Sequence, residues 1–327
     1  MKALVTGGCG FIGSHLVKKL LSEGWDVEVV DDMSSGSLDS LSGLTFRVAL
    51  ADMAEQFFHS VESLPSLTVI QGDFAHPFVL KRISTGEYDF VFHQAAIPRV
   101  QYSVENPIET TDVNILSTVK LFDSCCHAVQ RVIYASSSSV YGGADELPTT
   151  EDHPKNPKSP YAWQKSSIED AARIFSNLYS LDIVGLRYFN VFGPGQLGDS
   201  PYSTAIAAWC SAIKTNKSLR SDGDGQQSRD LCYIDNVVSA NILAANRQES
   251  FAGECYNIAC GQRTSNNEIL IHLREMFSNL TIIDAPEREG DVKHTLADIS
   301  LAKRDLGYTP LVKFWDGLEK TIKWWNL

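Results

Sequence analysis

The feature that most restricts the fold is an alternation running through about the first 190 residues. Short apolar runs at 3–6, 26–31, 67–71, 90–93, 132–136 and 183–188 each end in a polar or glycine-bearing break, followed by a stretch of helical length. A strand that is apolar along its whole length is buried on both faces. Such strands separated by helices build a parallel sheet covered on both sides, because a parallel pair needs a long crossover connection. The expected fold class is therefore α/β, with a Rossmann-type doubly wound parallel sheet. The stretches 104–128 and 161–178 read as long helices by their apolar spacing, and 32–66 as an irregular serine-rich segment with a short helix near 55–63. After Pro194 the elements become shorter and mixed. The expected division is a first domain at 1–188 and a smaller mixed α/β domain at 189–327, with about 233–260 packing back onto the first.

Charge and cysteine usage narrow the class of protein. There are 28 Lys and Arg against 40 Asp and Glu, a net charge of −12. That balance argues against a nonspecific nucleic-acid or anionic-membrane binder, which needs a basic surface. The 7 cysteines include no Cys-x-x-Cys pair, so reduced thiols in a cytoplasmic protein are expected. The N-terminus enters a strand almost at once, without a basic and apolar leader, and no 18-residue apolar run suggests a membrane span. The 8 histidines show no metal-ligand spacing, so no metal is expected.

The turn after the first strand reads Thr6-Gly7-Gly8-Cys9-Gly10-Phe11-Ile12-Gly13. Glycines allow the tight turn and the close approach of backbone N–H groups to a pyrophosphate, and the helix that follows adds the positive end of its dipole. The next strand ends in Asp31, where a carboxylate accepts from the ribose hydroxyls and repels a 2′-phosphate. These residues point to NAD rather than NADP. Asp73 and Phe74, after the third apolar run, are placed to hold the edge and face of an adenine.

A second constellation carries chemistry. Tyr161 and Lys165 lie four apart on one helix, hence on one face a turn apart. An ammonium beside a phenol favours the phenolate. The serine-rich run 136–139 closes a central strand, at the sheet end where ligands bind.

Taken together, the motifs resemble the extended short-chain dehydrogenase/reductases, in the branch of NAD-dependent nucleotide-sugar epimerases. They are Thr6 to Gly13, Asp31, His93-Gln-Ala-Ala96, Asp112-x-Asn114, Ser136 to Gly142, Tyr161-x-x-x-Lys165, Leu186-Arg-Tyr-Phe-Asn-Val-Phe-Gly-Pro194, Gly223-Asp-Gly-x-x-x-Arg-Asp230 and Arg288-Glu-Gly-Asp291, in family order across nearly the whole chain. The resemblance implies a catalytic Ser137, an acid/base Tyr161, and a Lys165 that tunes it and binds ribose. It places Phe11, Ile12, Gln94, Ala95, Ala96, Asn114 and Tyr188 around NAD beside the residues above. It places Ser138, Ser139, Asn190, Arg229, Arg288, Asp291 and Thr295 around a UDP-sugar, with the arginines on the phosphates. It makes the first domain NAD-binding and the second UDP-sugar-binding. It also implies a homodimer built from the helices in 104–128 and 161–180.

Within that family, dehydratases typically carry an Asp-Glu pair before Val-Tyr-Gly, and decarboxylating relatives a Glu. Here Ser138 and Ser139 stand in those places. The expected reaction is therefore C4 epimerisation of a UDP-hexose through a 4-keto intermediate, without net redox change. Thr295 stands where epimerases restricted to non-acetylated sugars often carry Tyr, which suggests UDP-GlcNAc and UDP-GalNAc, with UDP-glucose and UDP-galactose beside them. Arg99 favours an alternative acidic sugar, UDP-glucuronate, although Asn190 departs from the Thr typical of glucuronate epimerases. A nucleotide-sugar oxidoreductase or a regulatory NAD-binding protein of the same fold is the remaining alternative.

Overall fold

The computed structural model describes residues 1–60, 65–198, 204–278, 280–286 and 292–327. In chain order the elements begin with β1 (Lys2–Thr6), α1 (Phe11–Ser22), β2 (Asp26–Asp31), β3 (Arg47–Leu50), α2 (Ala54–Ser60), β4 (Leu67–Gln71), α3 (Pro77–Ser84) and β5 (Phe90–His93). They continue with α4 (Val100–Glu105), α5 (Pro107–Thr111), a π-helical turn (Asp112–Ser117), α6 (Thr118–Cys125), β6 (Arg131–Ser137), α7 (Pro160–Tyr179) and β7 (Ile183–Tyr188). Then come β8 (Val191–Phe192), α8 (Ala205–Lys214), β9 (Leu219–Asp222), β10 (Ser228–Asp230), β11 (Cys232–Tyr233), α9 (Ile234–Asn246) and β12 (Cys255–Ile258). The last are β13 (Arg263–Ser265), α10 (Asn266–Met276), β14 (Ile282–Ala285), α11 (Ser300–Leu306) and α12 (Phe314–Trp324). Among the described residues no helix is long and apolar enough to cross a membrane.

The apolar runs do become the sheet. Its 8 strands lie in the order β12-β7-β6-β5-β1-β2-β4-β3. Neighbours from β6 through β3 pair in parallel, β1 lying in register with β2 (Val5 beside Val29) and with β5 (Val5 beside Phe92). Two strands come from segments outside the six apolar runs. Edge strand β3 lies inside the serine-rich segment read as irregular; its short run Val48-Ala49-Leu50 is largely exposed. β12 is four residues long and follows a loop.

The expected helix over 104–128 is broken. α4 stops at Glu105, Asn106 leaves helical backbone (φ −131°, ψ 61°), and Pro107 opens α5. The ring of a proline disfavours helical geometry in the residue before it. α7 forms over the second predicted stretch, with Ser159 accepting from Ala162 N–H and Pro160 in the first turn.

The chain groups into two compact units: Met1–Ser137, Ser159–Arg187 and Val238–Tyr256 in one, and Ser138–Lys158, Tyr188–Val237 and Asn257–Leu327 in the other. This grouping departs from a single cut after residue 188 at Ser138–Lys158, which cluster with the later part of the chain. The first unit has a core drawn from sheet and helices, including Leu4, Ile70, Val91, Phe122, Tyr134 and Ile168. The second has a smaller one around Val140, Tyr141, Phe189, Ala259 and Ala297.

Candidate active site and family

In the first unit, β1 and β5 are neighbours, yet the chain reaches β5 only after building β2, β3 and β4 on the far side. Strand order reverses between them, and doubly wound sheets take ligands at the carboxyl ends of such strands. The glycine-rich turn follows β1 at this place. Gly7 has φ +68°, and its N–H donates to Val30 O (2.8 Å). Gly10 N–H donates back to Gly7 O (3.1 Å), closing the turn before α1. A Cβ on Gly13 would lie 2.1 Å from Gly7 O, so helix and turn touch backbone to backbone. The first N–H groups of a helix have no partner within it, and a glycine turn without side chains leaves them open to an anion.

Asp31 is buried at the end of β2. Its Oδ2 accepts from Cys9 N–H (2.9 Å) and its Oδ1 from Met33 N–H (2.9 Å). Burial pushes its pKa up, against the pull of these backbone donors. Carboxylate oxygens accept more than one bond each, so capacity remains for a ribose diol. Ser37 N–H (3.1 Å) and Ser40 Oγ (2.8 Å) both donate to Cys9 O, which pins the segment after β2 onto the glycine turn. The sequence gives no periodic signal for that anchor.

Phe11 and Ile12 begin α1, half-buried. Asp73 is exposed and turns the chain by accepting from Ala75 N–H (2.8 Å). Phe74 belongs to the core, its ring 4.9 Å from that of His93. Gln94 donates to Asn241 Oδ1 (3.1 Å), Ala95 N–H donates to Thr6 Oγ1 (3.1 Å), and Ala96 follows, half-buried. Asn114 lies in the π-helical turn and is engaged on all sides. It accepts from Ile97 N–H (2.8 Å) and donates to Ile97 O (3.1 Å) and Gln164 Oε1 (2.8 Å). Its amide thus fixes the loop after β5.

The structure brings Ser137, Tyr161 and Lys165 together. Ser137 ends β6 and is hydrogen bonded to the Tyr161 hydroxyl. Lys165 Nζ lies 5.9 Å from the Tyr161 ring centre and donates to Ala135 O (2.7 Å). Burial pushes Tyr161 up to about 12, with Ser137 pulling it down. Burial pushes Lys165 down to about 8, with Glu169 pulling it up. Burial thus works against the phenolate that an ammonium and a positive nicotinamide ring favour. Sequence reasoning misses Glu169, which is fully buried and paired with Arg187. Its one sequence signal is its place a turn beyond Lys165.

In the second unit, Ser138 and Ser139 lie in a short 3₁₀ turn, and Tyr188 enters at the end of β7, buried. Asn190 takes a left-handed backbone (φ +34°) and donates to Asp230 O (3.2 Å) and Thr295 Oγ1 (3.1 Å). Thr295 Oγ1 also accepts from Asp230 N–H (3.1 Å). Arg229 on β10 is anchored through Nη1 to the carbonyls of Ser228 and Lys293 (both 3.1 Å). Arg288 and Asp291 lie outside the described residues. The organiser of this cluster is Asp230, another residue whose role only the structure reveals. Fully buried, it accepts from the N–H groups of Cys260 (2.9 Å), Gly261 (3.0 Å) and Ala297 (3.1 Å).

The comparisons agree with this geometry. Residues 3–259 match the NAD dependent epimerase/dehydratase family. UDP-glucose 4-epimerase of Mycolicibacterium smegmatis is 32% identical over 334 residues, covering 100% of this chain and 99% of the relative. The structure of UDP-N-acetylglucosamine 4-epimerase from Methanobrevibacter ruminantium M1, in complex with UDP-N-acetylmuramic acid, superposes with TM-score 0.87 at 35% identity, covering 99% of this chain and 98% of the other. That of UDP-glucuronic acid 4-epimerase from Bacillus cereus, with UDP-glucuronic acid and NAD, gives TM-score 0.84 at 30% identity, covering 100% and 99%. With a strand, a glycine turn shaped for a pyrophosphate and a strand-end acid in place, the chain belongs to the NAD dependent epimerase/dehydratase family, and its cofactor is NAD.

Proposed function

We propose that this protein is a UDP-hexose 4-epimerase that interconverts UDP-GlcNAc and UDP-GalNAc, and UDP-glucose and UDP-galactose beside them. The observation that carries the reading is the hydrogen-bonded Ser137–Tyr161 pair with Lys165, joined to a following turn that offers the hydroxyls of Ser138 and Ser139 and no carboxylate. Such a set can move one proton at a sugar hydroxyl and lacks the extra acid or base that elimination of water needs.

In the first unit, Gly7, Gly10, Phe11, Ile12 and Gly13 hold the pyrophosphate and Asp31 the adenosine ribose. Asp73 and Phe74 line the adenine, while Gln94, Ala95, Ala96, Asn114 and Lys165 line the nicotinamide half; Tyr188, of the second unit, is assigned to NAD by the same resemblance. When bound, NAD supplies a two-electron acceptor for a secondary alcohol and, in its oxidised form, a positive charge. Tyr161 Oη takes the proton of the 4-hydroxyl and later returns it. Ser137 orients the same oxygen, and the Lys165 ammonium stabilises the phenolate. In the second unit, Asn190, Arg229, Arg288 and Asp291 take the UDP group. Arginine suits that task because its planar fork matches phosphate oxygens. The hydroxyl of Thr295 ties Asn190 to Asp230, so Thr295→Val is the control for any Thr295→Tyr test of room for an acetamido group.

The experiment is incubation of the purified protein, without added NAD, with a panel of UDP-sugars that includes UDP-glucuronate, followed by NMR of the products. Inversion at C4 of the GlcNAc/GalNAc pair is expected, with Tyr161→Phe losing on the order of a hundredfold in turnover while keeping bound NAD. Inversion of UDP-glucuronate alone would transfer the reading to an acidic sugar, the case that Arg99 favours. Stoichiometric accumulation of NADH would make the protein a net oxidoreductase. No turnover by a protein that holds NAD would make it a regulatory binder.

Homodimerisation belongs to the same reading. The helices α5 to α7 leave Ile108 (85% exposed), Trp163 (49%) and Leu178 (69%) in solvent, an apolar surface that a second copy covers. Sedimentation at micromolar concentration is expected to give twice the chain mass.

A further inference from the structure

Behind the reacting phenol lies a buried ionic cluster for which the proposed chemistry has no direct use. Tyr161, Lys165 and Glu169 occupy successive turns of one face of α7. The last three residues of β6 answer them one by one. Ala135 O accepts from Lys165 Nζ (2.7 Å), Ser136 Oγ donates to Glu169 Oε1 (2.6 Å), and Ser137 is hydrogen bonded to Tyr161. From the neighbouring strand β7, Arg187 forks onto the same carboxylate, Nε to Oε1 and Nη2 to Oε2 (both 2.8 Å). Glu169 is 0% exposed and Arg187 4%.

A buried ion pair is a poor way to add stability, since desolvation offsets most of the attraction and apolar side chains of the same size often do as well. What it supplies is register, because a carboxylate with three donors on two strands fits one position only. It also places a negative charge one helical turn from the Lys165 ammonium. The other titratable groups beside Lys165 are Tyr161 on its own helix and His93 on β5, which burial keeps neutral, while Arg187 on β7 reaches the cluster through Glu169.

We propose that Glu169 is a positioning residue for the reaction: through Ser136 it aligns Ser137 with Tyr161, and through its charge it keeps Lys165 protonated in a buried place. This rests on the epimerase reading. It predicts two separable effects. Glu169→Gln removes the negative charge and leaves Arg187 positive, and both changes disfavour the ammonium. Ser136→Ala cuts the tie to β6 and leaves the ion pair intact.

The test measures kcat and KM from pH 6 to pH 10 for wild type and both variants, together with the NAD retained after desalting at each pH. For Glu169→Gln, the alkaline fall in kcat and the pH at which NAD is lost should both move down by about one pH unit or more, with KM changed less than twofold. For Ser136→Ala, kcat should fall about fivefold or more with neither pH midpoint moved. A Glu169→Gln enzyme with wild-type midpoints, or a Ser136→Ala enzyme with wild-type kcat, would overturn the proposal. Should Glu169→Gln not fold, Glu169→Met with Arg187→Met replaces the pair by apolar bulk, and unshifted midpoints there count equally against it. If wild type turns over no UDP-sugar, the functional reading fails instead, and the NAD midpoints still decide the role of Glu169.

Discussion

The glycine turn of the first unit and the Asp230 cluster of the second are held by opposite means. The turn is made of backbone against backbone: Gly13 lies against Gly7 O, and Gly7 against the backbone of Ala95. It sits at the end of two strands fixed by parallel pairing over their whole length. The Asp230 cluster sits among two-stranded pairs only a few residues long, β8 with β11 and β10 with β13. There a single carboxylate gathers the N–H groups of 260, 261 and 297, and Thr295 and Asn190 close the ring. Where a sheet supplies the geometry, side chains are needed only for contact with ligand. Where strands are short, buried polar side chains must supply it, since two-stranded pairs are marginal alone.

The sharpest way to break this comparison is Gly13→Ala. The new Cβ meets main-chain atoms that no rotamer change can move, so retained NAD should be lost and stability should drop by about 1–3 kcal/mol or more. Titration with UDP, followed calorimetrically, should change little. If UDP affinity falls as far as NAD content does, the two regions are not separately built.

Asp230→Asn is the converse and somewhat smaller. Burial pushes this carboxyl up to about 6, and four backbone N–H groups pull it down. An amide turns an N–H toward some of those donors, which costs about 1–3 kcal/mol. UDP affinity is expected to fall at least tenfold with NAD content intact, measured by calorimetry and by release of cofactor on denaturation.

His93 bridges Thr6 Oγ1 (2.7 Å) and Thr118 Oγ1 (3.0 Å), and burial, with Lys165 nearby, pushes it down to about 3. Between that value and about 6.5 the unfolded chain binds a proton that the folded one refuses. Its contribution is therefore complete above about pH 6.5 and is lost as the pH falls, by about 2 kcal/mol at pH 5. Melting temperatures of wild type and His93→Gln should converge as the pH drops from 7 to 5. Parallel curves would show that His93 is not held neutral by the fold.

Much of this was legible along the chain, for identifiable reasons. Six apolar runs became strands because burial on both faces leaves an unbroken local signature. The glycine turn and Asp31 were legible because their spacing is set by one strand, one turn and one helix. The break before Pro107 was legible in principle and outweighed by apolar period, which ignores the steric demand of a proline on its predecessor. The short apolar run of β3, Val48-Ala49-Leu50, was passed over because it lies in a serine-rich stretch read as irregular. Phe74 shows the limit for aromatic residues: its position suggested a ligand face, and no local pattern records that its ring also packs against His93.

The sequence by itself determined the doubly wound sheet, the glycine turn, the strand-end acid and the Tyr161–Lys165 face, because each depends on residues close in the chain and on one periodicity. Only the tertiary structure decided that Glu169 meets Arg187 and Ser136, that Asn114 holds the loop after β5, that Asp230 gathers the backbone of its cluster, and that burial works against the Tyr161 phenolate. These depend on contacts between residues distant in sequence and on desolvation, which no local pattern records.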